Sequence, residues 1–418
     1  MPRSTAATLA VVLTLASAAG LAACADQATN PAPLASPSLA RTAVTAPGLW
    51  RSVVSGETGP GSQYAFYVPN DWNGSVVYYA HGIRLPSAPV DLAVGDGFDG
   101  FRDALGARHY AVALSSFDEN GFAVKDGALR THQLRGLFAS QFGQPKRSYL
   151  AGMSLGGLMV EDIAESHGAQ YDGTLAMCSP LGGSASEVNY LADVRDLFDW
   201  FYPGVVAGDV MHVPAGTNPD AAVGAAVGAI MANPTGLGAM LRIDQTPIEG
   251  SNPTEWVTSV AYAIKYNILA LDNLMDHTHG HPFYDNSATR YSSSLPAPYG
   301  LPVSLLAALN GDVPGVAGVA RFTATPDALN YLDQYYKPTG ALTIPTLTLA
   351  TTNDPFVPRR KHEREFLSAV TSAGATQLLV QRNVPGAAFG HCTFKPEELT
   401  AAFDALTSWV ETGVRPSL

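Results

Sequence analysis

A short apolar run, Arg147-Ser148-Tyr149-Leu150-Ala151, passes directly into Gly152-Met153-Ser154-Leu155-Gly156-Gly157 and then into a helical stretch ending at His167. This junction restricts the fold more than any other feature of the chain. A serine with glycine two residues to either side, between a strand and a helix, implies a turn so sharp that the serine is strained. Only small residues at 152 and 156 let strand and helix approach. Ser154 then stands at the C-terminal end of a sheet and at a helix N-terminus, where a developing negative charge is favoured.

Strand and helix patterns alternate on both sides of this junction. Gln63–Pro69, Val76–Ala80 and His109–Leu114 read as strands; Phe98–Leu105 and Thr131–Phe142 carry helical spacing. Gly173–Cys178 is the next strand. Such alternation predicts a parallel sheet covered on both faces. It breaks at Leu181, and an Ala/Gly-rich helical region with many aromatics follows. It resumes with a strand at Thr346–Ala350, a helix at Arg359–Ala373, a strand at Thr376–Gln381 and a helix at Pro396–Glu411. The expected organisation is therefore a core formed by 49–181 and 341–418, with 182–340 inserted as a cap. With 46% hydrophobic and 14% charged residues, the chain has material for a large core and too little charge for disorder. A net charge of −12 argues against nucleic acid and anionic membrane surfaces as partners.

A nucleophilic serine needs a base, and the base needs an orienting carboxylate. In this type of sheet the chain order is serine, acid, histidine. Asp354 lies just past the strand Thr346–Ala350, and His391 sits in the loop Phe389-Gly390-His391-Cys392 before the last helix. Asn353 competes with Asp354 for the acid position, and an ordinary helix cap is the alternative role for Asp354. Two backbone N–H groups must converge on the oxyanion. One is expected from Leu155, after the nucleophile, and the second from Ile83, after Val76–Ala80 and His81-Gly82. His81 is expected to support that loop rather than move protons.

The N-terminus reads as a processing segment. Arg3 and the apolar stretch Ala6–Leu21 end in Leu21-Ala22-Ala23-Cys24. The pattern is that of a secretory signal over 1–23. It resembles the lipobox of bacterial lipoproteins, which implies lipid on Cys24 and an exported, membrane-anchored product; an ordinary cleaved signal and a secreted product is the alternative. Residues 24–48, rich in Ala, Pro, Ser and Thr, read as a flexible tether. Membrane contact is expected only through the lipid.

The strand-His81-Gly82 element, the Gly-x-Ser-x-Gly-Gly turn, Asp354 before Pro355 and Gly390-His391 together resemble the α/β-hydrolase superfamily, over roughly 49–412. Asn120–Val124, Met177-Cys178 and Gly390–Phe394 look similar to a secreted bacterial branch of hydrolases and esterases. The resemblance implies an α/β-hydrolase fold: a mostly parallel sheet flanked by helices, with a large, mainly helical cap. It also implies cleavage of carboxylic esters, of small molecules or polymers, by a Ser-Asp-His triad without cofactor or metal. A peptidase or amidase on the same fold is the nearest rival, and a non-catalytic binding protein a more distant one. The tannase and feruloyl-esterase family also has a cysteine after its catalytic histidine. Its partner cysteine directly precedes the nucleophile, where this chain has Met153.

If Cys24 carries lipid, Cys178 and Cys392 remain in an oxidising compartment. They are expected to pair, pinning the His391 loop to the sheet; the alternative is two unpaired thiols. One more run, Asp276-His277-Thr278-His279-Gly280-His281, has alternate histidines that could bind a metal on an extended chain. A polar cap loop is the expected reading. Asp285, Asn286 and Tyr291 are read as cap structure or pocket lining, and Trp200, Phe201, Tyr202, Trp256, Tyr262 and Tyr266 as cap packing or pocket lining.

Overall fold

The computed structural model describes residues 42–44 and 48–417, except 60, 96, 386 and 387. The signal segment, Cys24 and most of the tether lie outside the described residues. The first described elements are β1 (Thr42–Val44), β2 (Trp50–Gly59), β3 (Ser62–Pro69) and β4 (Ser75–Ala80). Then come α1 (Phe98–Gly106), β5 (Ala111–Ser115), α2 (Val124–Phe142), β6 (Arg147–Met153), α3 (Leu155–His167) and β7 (Gly173–Met177). Six helices follow: α4 (Ser184–Phe201), α5 (Pro219–Ala232), α6 (Thr235–Met240), α7 (Pro253–His277), α8 (Val303–Leu309) and α9 (Pro326–Gln334). The chain closes with β8 (Thr346–Thr351), α10 (Arg359–Ser372), β9 (Leu379–Val384) and α11 (Pro396–Thr412).

The strands form one sheet in the order β1-β2-β3-β5-β4-β6-β7-β8-β9. Pairing is antiparallel from β1 to β5 and parallel from β5 to β9. In the central strands almost every side chain is buried, because both faces are covered. Period-2 alternation sorts them. Val76, Tyr78 and Ala80 of β4 join the apolar layer under α2 and α3, while Val77 and Tyr79 join the layer under α1 and α11. The cap helices have an apolar core of their own, built on Val194, Leu197 and Phe198 of α4 and on Val260, Ile264 and Ile268 of α7. This is the α/β-hydrolase fold, a mostly parallel sheet between helix layers with helical segments between β7 and β8.

The structure departs from the sequence expectations at four places. Thr42–Val44, assigned to the tether, pairs antiparallel with β2. β2 itself was not anticipated: Trp50–Gly59 has a half-buried pattern and register shifts at both ends, so no clean alternation marks it. α2 begins at Val124 rather than Thr131. Its first turns contain Gly127, where a Cβ would lie 2.3 Å from Met159 Sδ, so close packing replaces the apolar periodicity that marks a helix. Finally, Thr376–Leu378 is a 3₁₀ turn and β9 runs Leu379–Val384. The parallel ladder with β8 begins at Thr346 opposite Leu379, which fixes where pairing starts.

Candidate active site

The turn between β6 and α3 is as tight as its sequence demands. Ser154 has φ 57° and ψ −129°, a conformation that non-glycine residues rarely hold. Its N–H donates to Met177 O (2.8 Å), and its carbonyl accepts from Gly157 N–H (3.0 Å) and Ser179 Oγ (2.9 Å). The glycines leave no room. A Cβ on Gly152 would stand 2.2 Å from Gly156 O, and one on Gly156 would stand 2.1 Å from Ala80 O. Both obstacles are backbone, which cannot swing aside. Gly156→Ala is therefore expected to destabilise the protein by about 2 kcal/mol or more, read as a lowered thermal midpoint.

Asp354 follows β8 in a loop and is almost fully buried. Its Oδ1 accepts the N–H groups of Phe356 (2.9 Å) and Val357 (3.0 Å). Its Oδ2 lies 2.8 Å from His391 Nδ1. His391 Nε2 in turn lies 2.7 Å from Ser154 Oγ. The structure thus brings Ser154, His391 and Asp354 into one hydrogen-bonded line, from three loops far apart in sequence. Asp354 is not the cap of α10, whose N-cap is Pro358. Asn353 contributes through its backbone, its carbonyl accepting Gly390 N–H (3.2 Å) beside the histidine.

Cys178, immediately after β7, is disulfide-bonded to Cys392, with Cα atoms 5.4 Å apart. Cys178 N–H donates to Leu349 O of β8 (2.8 Å), so the bridge anchors the residue after His391 to the central sheet. The Phe356 ring packs edge-on against His391 at 5.1 Å between centroids.

Ile83 and Leu155 both line the cavity that holds Ser154. The close approach of Gly156 to Ala80 and His81 draws the N-terminus of α3 against the loop that carries Ile83. His81 stacks on Phe117 (3.9 Å between centroids), and its Nδ1 lies 2.7 Å from Gly82 O. Burial lowers its pKa to about 4, so it is a neutral brace of this loop.

The space inside the cavity open to a water-sized body is about 30 Å³. α7 lines it with Tyr266, Asn267, Ala270, Leu271 and Leu274, one helical stripe, and α4 adds Glu187, Val188 and Leu191. Sequence reasoning singled out only Tyr266 among these. The spacing of Asn267, Leu271 and Leu274 was the available signal, since it places a polar residue on a buried apolar face. Glu187 is buried, and desolvation pushes its pKa up to about 8. Its Oε2 is 2.9 Å from His362 Nε2 on α10, but off the line that a hydrogen bond needs.

On α10, Glu363 is also buried; Thr348 Oγ1 (2.7 Å) and Gln381 Nε2 (2.6 Å) donate to it, and desolvation raises its pKa to about 7. A folded-state pKa above the unfolded value means that the folded state holds the proton more tightly. That contribution to stability is complete below the unfolded pKa near 4.5 and is lost as pH rises through about 7. The thermal midpoint is expected to fall between pH 5 and pH 8, and Glu363→Gln is expected to flatten that slope.

The histidine run does not converge. His277 ends α7, with Nδ1 2.5 Å from Tyr331 Oη; it lines one open surface cleft together with His279 and His281, but among the described residues the three do not bring their ligand atoms together. Among the described residues, the one group of potential ligands that comes close together is Cys178, His391 and Cys392, and the disulfide occupies both sulfurs. Of the other cap residues, Asn286 Nδ2 donates to Asp196 Oδ2 (2.8 Å) and Asp285 binds the Ser287 and Ala324 amides, while Tyr291 is buried. No helix among the described residues is long and apolar enough to cross a membrane.

No family model matches the chain, and no curated protein matches it. Solved structures do. Feruloyl esterase B from Aspergillus oryzae is 16% identical, with a TM-score of 0.44 over 87% of this chain and 81% of that one. An esterase from the same organism is 13% identical, TM-score 0.44, over 87% and 80%. The rice cell wall degrading esterase LipA from Xanthomonas oryzae, in a ligand-bound form, is 11% identical, TM-score 0.40, over 86% and 89%.

Proposed function

We propose that this chain is a serine hydrolase that cleaves carboxylic esters through an acyl-enzyme. The observation that carries the reading is the hydrogen-bonded line Ser154–His391–Asp354 on the floor of an apolar cavity. In this mechanism His391 Nε2 takes the Ser154 proton as Oγ attacks the carbonyl carbon. Asp354, held by two backbone amides, keeps the proton on Nδ1 and stabilises the imidazolium. The N–H groups of Leu155 and Ile83 receive the oxyanion. His391 then protonates the leaving alcohol, and water repeats the sequence to release the acid. The residues need no metal or cofactor for these steps. Hydrolysis of p-nitrophenyl acetate and butyrate, with fluorophosphonate labelling of Ser154, tests the reading.

Glu187 favours a second reading, an aminopeptidase-like enzyme, because a carboxylate in the pocket would hold a substrate ammonium. Burial raises its pKa to about 8, which favours the uncharged acid at neutral pH and weighs against this. We also infer that Cys24 carries lipid and that the enzyme works outside the cytoplasm; Leu-Ala-Ala-Cys at the end of the signal and the disulfide support this.

A further inference from the structure

The cavity above Ser154 is walled almost wholly by apolar side chains, yet two polar groups are buried in that wall without a hydrogen-bond partner. Among the described residues both carboxyl oxygens of Glu187 on α4 lack one, Oε2 lying 2.9 Å from His362 Nε2 without hydrogen-bond alignment, and so does Oδ1 of Asn267 on α7. Both residues are more than nine-tenths buried. The two residues line the same cavity, one from each of two helices that pack on each other. The Asn267 amide is oriented by its Nδ2, which donates to Val210 O (3.4 Å), leaving Oδ1 to accept. An unpaired buried polar group costs about 1–3 kcal/mol, a cost that a bound partner would relieve.

We propose that the pocket takes an uncharged apolar substrate group bearing a hydroxyl, and that Glu187 and Asn267 are the residues that select it. The proposal rests on the ester-hydrolase reading above. The donor–acceptor inventory picks out the hydroxyl. A protonated carboxyl donates one hydrogen bond, the Asn267 oxygen accepts one, and a hydroxyl supplies the complement of each. An ammonium has three donors and no acceptor, so it would meet the acid proton of Glu187 with no lone pair to offer. A plain alkyl group would leave both protein groups unpaired. Burial favours the protonated acid, which fits this assignment. Leu191, Leu271, Leu274 and Phe283 enclose the rest of the group, where a charged or strongly hydrated substituent would be desolvated without compensation.

The test uses p-nitrophenyl esters of straight acyl chains from two to eight carbons, each as the plain, the ω-hydroxyl and the ω-amino compound. A parallel series varies the alcohol instead, with acetate as the acyl part. Ser154 labelling by a fluorophosphonate is measured on every protein. At one chain length, in one of the two series, the hydroxyl compound is expected to exceed the plain one by about tenfold in kcat/KM. Glu187→Leu and Asn267→Leu are each expected to erase that preference while Ser154 still labels. Glu187→Gln, whose amide can also donate and accept, is expected to keep most of it, which guards against a merely misfolded Glu187→Leu. Equal or better use of the plain compounds at every length, a preference for the amine, or a hydroxyl preference that survives both leucine variants would overturn the proposal. If the wild-type protein is labelled in any of those cases, the ester-hydrolase reading stands and only the selectivity fails. Absence of labelling and turnover in the wild-type protein removes both.

Discussion

Ser154→Ala is expected to abolish labelling by fluorophosphonates and to lower the turnover of p-nitrophenyl butyrate by about 10⁴-fold or more. The size follows from what the hydroxyl does. In the proposed mechanism it is the group that forms the acyl-enzyme, and its Oγ lies 2.7 Å from His391 Nε2. What survives the substitution is binding and oxyanion stabilisation, worth about 10³–10⁴ over water in other serine hydrolases. The variant is expected to fold, because Ser154 makes its structural hydrogen bonds through its backbone N–H and C=O. Normal thermal unfolding with unchanged turnover would remove Ser154 from the mechanism.

Breaking the Cys178–Cys392 bridge is expected to have the second largest effect, on stability and rate together. The two cysteines are 214 residues apart, so the loop that the bridge closes is long. The chain-entropy treatment of such a loop gives about 5 kcal/mol, lost when both cysteines become serine. The rate is expected to fall as well, by about tenfold to a hundredfold, because the bridged Cys392 is joined to His391 by one peptide bond and a misplacement of 1 Å is costly at a reacting centre. Measuring kcat and KM of Cys178→Ser/Cys392→Ser well below its thermal midpoint separates the two effects. A stable variant with wild-type kcat would leave the bridge a purely architectural role.

The parts of this molecule that obey local rules were legible in the sequence. Gly152, Ser154 and Gly156 announce their own geometry, because the contacts that require them are made by neighbouring backbone. Asp354 and His391 were readable because each follows a strand end in the order that the chemistry needs. β2 was not readable: it is half-buried and carries its pairing information in β3 rather than in its own alternation. Glu187 was unreadable for a different reason. On α4 it looks like an ordinary acidic residue in the first turn of a helix, where a carboxylate complements the helix dipole. Only the packing of α4 against α7 and α10 turns it into a buried acid beside Ser154.

β7 and β8 are parallel neighbours in the sheet. Parallel neighbours cannot be joined by a tight turn; they need a crossover that returns the chain to the starting edge. In this protein the entire run of α4 to α9 serves as that crossover. In the proposed mechanism the nucleophile is laid down before it and the acid and base after it, so the reacting groups belong to the frame, while the pocket walls are shared between the bridge and frame residues such as Ile83, Phe122 and Phe356. Lengthening such a bridge adds only logarithmically to the entropy of closing it. Such a span, from after Ser179 to before Thr346, can be extended or rebuilt without touching Ser154, Asp354, His391 or the Cys178–Cys392 bridge. New substrates are then an evolutionary matter of the insert, and conservation of the reaction a matter of the sheet.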